Sequence, residues 1–168
     1  MKKKKVITII IIVLIIISLV SSILILLNNL SKDANKTKEL IQEIKSNNQT
    51  FEENIVEYNN NRINLSNIIK DTYLEDLKSN YQNIFNELTN TENNLKETEK
   101  ITNQITKLCK DKSFQETEVN NICTTTKTNY DKLVSVYKDD INKVNNIIKN
   151  YNAINNDKLE EYTSSYLK

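Results

Sequence analysis

The residues with the most to offer chemically are two cysteines, Cys109 and Cys123, and a scatter of carboxylates that includes Glu52-Glu53, Asp139-Asp140 and Glu160-Glu161. Two thiols can close a disulfide, but without a histidine or a second cysteine pair they make a poor zinc site. Adjacent carboxylates on a helix point about 100° apart, so such pairs do not converge on one substrate and read as solvated faces. The chain has no histidine, which removes Ser–His and Cys–His nucleophiles and the commonest metal ligand. It has no glycine either, hence no phosphate-cradling loop and no dinucleotide fingerprint. No catalytic residue, cofactor or metal site is expected, and the chain does not read as an enzyme.

The elements that would position the cysteines are helices. Among 168 residues there is no Gly and no Pro, the usual punctuation of turns. An all-β fold is therefore implausible, and an all-α fold is expected. Asparagine makes up 28 residues, one in six, a bias that reads as largely compositional.

From Leu40 the apolar residues step by threes and fours. Ile44, Phe51, Tyr58 and Leu65 keep one heptad position, and Ile41, Ile55 and Ile69 its partner, with Asn48 and Arg62 as polar interruptions. This is a helix burying a narrow seam. Across Ile69, Tyr73, Leu77 and Tyr81 the step becomes four-four-four, a stutter, after which Leu88 and Leu95 continue one position in a new frame and Ile84 and Ile105 the other, diluted by Thr91 and Thr98. The pattern breaks across Lys110 to Glu116 and resumes from Val119 through Tyr130, Tyr137, Val144 and Tyr151. A weaker helical spacing, Leu159, Tyr162 and Tyr166, follows in 155–168.

Two arrangements fit. One is an antiparallel coiled-coil hairpin turning near 110–118. The other is an elongated three-helix bundle, with a further break at the Asn-rich Tyr58–Arg62 and helices near 33–57, 63–109 and 117–166. Cys109 and Cys123 flank the turn at seam positions; opposing them across antiparallel helices centres the turn near residue 116, and their disulfide would staple its tip. Ser113-Phe114-Gln115-Glu116 has the form of a capping box and competes with that geometry, because a helix starting at Ser113 would offset the cysteines.

Ahead of this region runs Val6–Leu27, uncharged throughout, preceded by Lys2, Lys3, Lys4 and Lys5. Twenty-two helical residues span about 33 Å against a hydrocarbon core of about 30 Å. The expected organisation is a cytoplasmic basic tail at 1–5, a transmembrane anchor at 6–27 in contact with membrane lipid, and an extracytoplasmic helical domain at 28–168, oriented by the lysines. A cleaved signal peptide and a secreted chain are the alternative, disfavoured by the length of the apolar run and the lack of an A-x-A site. Beyond residue 27 the net charge is −3 with both signs interspersed, which excludes a nucleic-acid partner.

The eight tyrosines lie mostly on or beside the seams and read as packing residues. The four Asn-x-Ser/Thr acceptors at Asn29, Asn35, Asn48 and Asn64 are expected by chance at this asparagine content. The layout resembles in outline several unrelated bacterial envelope proteins, among them division scaffolds and phage lysis spanins, and an outline shared by unrelated families assigns no activity. The functional expectation is an envelope-anchored structural or scaffold protein, binding a protein partner or a second copy through its helical domain. The alternative is a helical module for cell wall or an extracellular ligand.

Overall fold

The computed structural model describes residues 2–110 and 114–167, with side chains described from Ser18 onward. Three helices account for the regular structure among them: α1 Lys2–Asp71, α2 Leu77–Cys109 and α3 Thr117–Ile154, with a 3₁₀ turn at Leu74–Asp76. By compactness the chain divides into two units, Met1–Glu43 and Ile44–Lys168.

In the first unit, residues 18–39 are all exposed, including the large aliphatics Leu19, Val20, Ile23, Leu24, Ile25, Leu26, Leu27 and Leu30. Among the described residues no helix is long and apolar enough to cross a membrane. The described part of the expected anchor, 18–27, is ten residues or about 15 Å of helix, half a bilayer core. The side chains of residues 6–17, and those of Lys2, Lys3, Lys4 and Lys5, lie outside the described residues.

The second unit is a three-helix bundle, and its cross-helix contacts fix the register. Lys45 pairs with Glu116 at 2.6 Å, the Tyr58 hydroxyl donates to the Leu133 carbonyl at 2.8 Å, and Arg62 forms a two-pronged ion pair with Asp140. Both numbers rise together, so α1 and α3 run parallel. Asn61 donates to Asn94 and Asn80 to Thr72, while Cys109 bonds Cys123 and Tyr137 lies against Leu88 and Glu92; in each set the numbers move oppositely, so α2 is antiparallel to both. The core follows the heptads: Ile44, Phe51, Tyr58 and Leu65 from α1, Leu77, Ile84, Leu88, Leu95 and Ile105 from α2, and Val119, Tyr130, Tyr137, Val144, Ile148 and Tyr151 from α3 are all buried. The threonines that dilute the α2 seam, Thr91, Thr98 and Thr102, are buried too. Each hydroxyl donates to the carbonyl four residues back, so none is left unpaired. The intended partner seam of α1 is shallower; Ile41, Ile55 and Ile69 are only half-buried.

The first reversal is not at Tyr58–Arg62. There α1 is continuous, because three asparagines disfavour helix only weakly and the polar residues of this stretch have partners. Tyr58, Asn61 and Arg62 each bond to a neighbouring helix. Of 23 basic residues Arg62 is the one arginine, and it occupies the site where a planar fork grips a nearly buried carboxylate. The chain turns instead at Thr72–Asp76, where the four-four-four stutter falls. The fully buried stripe of α1 ends at Leu65, Ile69 is only half-buried, and full burial resumes at Leu77, the first residue of α2. Tyr73, with extended backbone, is 78 % exposed there and is not a seam residue. Asn80 ties the turn by donating to the Thr72 hydroxyl at 2.9 Å.

At the second reversal Cys109 and Cys123 form a disulfide with their Cα atoms 5.6 Å apart. The connection between α2 and α3 spans 110–116, so the turn is centred near 113 rather than 116, and the cysteines pair although the two helices end unequally about them. Ser113 lies outside the described residues, and α3 starts at Thr117, not at the helix start that its motif implied. The last segment departs from expectation outright. α3 ends at Ile154, and 155–167 is not helical but runs back over the bundle.

A disulfide closing a fifteen-residue loop is worth about 3 kcal/mol. Reduction, or Cys109→Ser with Cys123→Ser, is expected to lower the thermal midpoint while leaving far-ultraviolet circular dichroism helical at low temperature. Loss of helicity at low temperature would show that the tip nucleates the bundle.

Candidate functional site

The returning segment, 155–167, lies in the groove between α2 and α3, and the residues that hold it are the most specific polar arrangement in the second unit. An extended backbone laid on helices has N–H and C=O groups that the helices, already internally bonded, cannot satisfy with their own backbones. Side-chain amides do it here. Asn152 donates to the Leu159 carbonyl at 2.8 Å and accepts from the Leu159 N–H at 2.8 Å. Asn145 treats Tyr162 identically, at 2.9 and 2.8 Å. One amide carries one acceptor and donors side by side, so it pairs with both backbone groups of a single residue, as a neighbouring strand would. Asn120 repeats the device at the other end of α3, bonding both the N–H and the C=O of Phe114.

The spacing of these clamps is a matter of geometry. Asn145 and Asn152 are seven residues apart on a helix, about 10.5 Å. Leu159 and Tyr162 are three apart on extended chain, about 10 Å. Two rulers of different pitch coincide, so both clamps close on one segment.

Past the clamps the segment reaches a carboxylate. Glu92 on α2 is 3 % exposed. It accepts from Ser164 at 2.7 Å, from Ser165, from Lys96 at 2.8 Å and from Tyr162 at 3.2 Å. The Tyr137 hydroxyl lies 3.2 Å from the same carboxylate and 3.1 Å from the Leu88 carbonyl. Burial alone would raise the carboxyl pKa, but the hydrogen bonds from Lys96, Ser165 and Ser164 outweigh it and hold Glu92 down at about 2. Burial pushes the Tyr137 hydroxyl up, so it stays a protonated donor. Tyr162 is also held by its ring, edge-on to Phe85 at 5.1 Å, with the Tyr81 ring tilted against the Phe85 ring at 4.3 Å. The Tyr81 hydroxyl donates to the Glu160 carbonyl at 2.8 Å. From Lys78–Asp157 through Tyr81–Glu160 to Glu92–Ser164, the segment therefore runs parallel to α2 and antiparallel to α3.

This site holds polypeptide; it does not assemble a nucleophile, a base and an oxyanion donor around open space. Of the residues singled out by sequence, Cys109 and Cys123 come together at the far tip. The carboxylate pairs stay apart: Glu52 and Glu53 accept from Asn48 and Gln49 on their own helix face, Asp140 serves Arg62, and Glu161 lies 3.5 Å from Lys149. Tyr58, Tyr130, Tyr137 and Tyr151 are core. Glu92 was not legible, being one glutamate beside a seam. Asn145 and Asn152 carried one signal, their heptad spacing next to seam residues, submerged in the abundance of asparagine. A second polar recess, between α1 and α2, has a volume of about 370 Å³ and is lined by Glu57, Asn61, Asn90, Asn93, Asn94 and Glu97. No protein-family model, curated protein or solved structure matches the chain.

Because the Glu92 pKa is depressed in the fold, its stabilisation is complete above the ordinary value of 4.5 and is lost as pH falls from there toward 2. About 3 kcal/mol is at stake, taking 1.36 kcal/mol for each pK unit. Thermal melts from pH 7 to 2 are expected to fall steeply below pH 4.5, and Glu92→Gln to flatten that dependence. An unchanged slope in the variant would assign the acid sensitivity to other carboxylates.

Proposed function

We propose that the protein is a single-pass, membrane-anchored interaction protein of the cell envelope, with its helical domain outside the membrane and no catalytic role. The observation that carries this reading is the run of eight large aliphatic side chains from Leu19 to Leu30, each at least half exposed and facing all round the helix. A helix apolar on every side needs an apolar surround, and the uncharged sequence continues back to Val6. The lysines at 2–5 orient such a span with the N-terminus inside. The disulfide suits an oxidising compartment beyond it. The seams of the second unit are consumed within the chain, so partner contacts fall to its outer faces and to the α2/α3 groove. The recess lined by Glu57, Asn61 and four neighbours favours a second reading, a module for a polar ligand such as wall glycan.

The test is alkaline carbonate extraction of membranes from cells expressing the full chain. Retention in the pellet is expected. Ile15→Arg with Ile16→Arg, each costing about 2.5–3.5 kcal/mol on the insertion scale, is expected to move most of the chain to the supernatant. Release of the unsubstituted chain would refute the anchor; retention on wall material after the membrane is dissolved would favour the second reading.

A further inference from the structure

The α2/α3 groove is built to receive an extended peptide, and its present occupant is joined to it by a weak hinge. Two amide clamps read main chain rather than side chains, the Phe85 ring takes one tyrosine, and a buried carboxylate takes two successive hydroxyls. Together they specify Tyr-x-Ser-Ser in extended form with any residue at the first clamp, a pattern that 159–165 supplies. The hinge, 155–158, has a different character. It is held by Asn155 to the last turn of α3, by Lys158 to the carbonyls of Asn152 and Asn155, and by the ion pair Lys78–Asp157. Both partners of that pair are more than 60 % exposed, and surface pairs of this kind contribute little.

From this asymmetry we infer that the groove is an interface between two copies of the chain, each giving its C-terminal segment to the groove of the other. Every contact made by 159–167 to α2 and α3 is preserved when the donor is a second copy, because both copies present the same groove and the same segment. The closed and exchanged forms differ only in the hinge, whose surface contacts are the weak ones, so the choice between them is set by concentration and tethering. The inference identifies the partner of the interaction reading as the protein itself. It does not need the anchor, and holds or fails in detergent as well as in a membrane.

Complementation tests it with the full chain in detergent micelles. One variant keeps the groove and disables the segment, by Tyr162→Ala, Ser164→Ala and Ser165→Ala. The other keeps the segment and disables the groove, by Asn145→Ala and Asn152→Ala. Each alone is expected to sediment as a monomer, and the mixture as a heterodimer at least about tenfold tighter than either self-association. A synthetic peptide of residues 156–168, added to the first variant, is expected to compete the heterodimer apart, and binds that variant directly if the second fails to fold. The inference is overturned by a monomeric mixture of two helical variants, whether or not the peptide binds, and, if the second variant does not fold, by failure of the peptide to bind the first. It is equally overturned by dimers of the first variant alone, which would place the interface on another face.

Discussion

A carboxylate sealed from water needs donors, and those of Glu92 come from four places in the chain: Lys96 one turn along its own helix, Tyr137 on α3, and Tyr162 and the Ser164–Ser165 pair on the returning segment. Leaving a buried charge with some of these missing costs several kcal/mol. Glu92 therefore couples the packing of α2 on α3 to the seating of the last residues of the chain. The apolar seams would form helices without it. The groove side of the bundle, however, is completed only when the segment is in place.

The absence of glycine and proline explains the manner in which the chain does this. With neither residue to shape a turn, direction changes are held by side chains: Asn80 on Thr72 at the first reversal, the disulfide and Asn120 on Phe114 at the second, Asn152 on Leu159 and Asn145 on Tyr162 beyond the third. An amide is the one neutral side chain that can replace both halves of a missing backbone partner. Asparagine abundance read as composition thus contains a small set of residues with defined work.

The legible part of the fold was the part governed by periodicity. The heptads placed the core from Ile44 to Tyr151, and the seam positions of Cys109 and Cys123 placed the second turn, because burial imposes a repeat that sequence must carry. The first turn is visible as the stutter from Ile69 to Tyr81, but a stutter is also compatible with an unbroken coiled-coil helix, and the asparagines at 59–61 point to a break that α1 does not make. The segment 155–167 was read as helix from Leu159, Tyr162 and Tyr166, a spacing that an extended chain in a groove can share. From Leu159 on, its true partners on the helices lie seven to seventy-nine residues away in sequence, and no local pattern announces a contact between Ser164 and Glu92. The apolar run from Val6 was plain as composition, and what it does for the protein is a separate question from how the bundle holds together.

Amide clamps and a buried carboxylate hold an extended segment on α2 and α3. Hydrogen exchange resolved to single backbone amides tests it most directly. Slow exchange is expected at Phe114, Leu159 and Tyr162, each clamped by an asparagine, and fast exchange at Glu160 and Glu161 between two of them. Uniformly fast exchange across 156–167 would mean that the segment is not seated, and uniformly slow exchange graded like a helix would mean that it is not extended; either result would contradict the account.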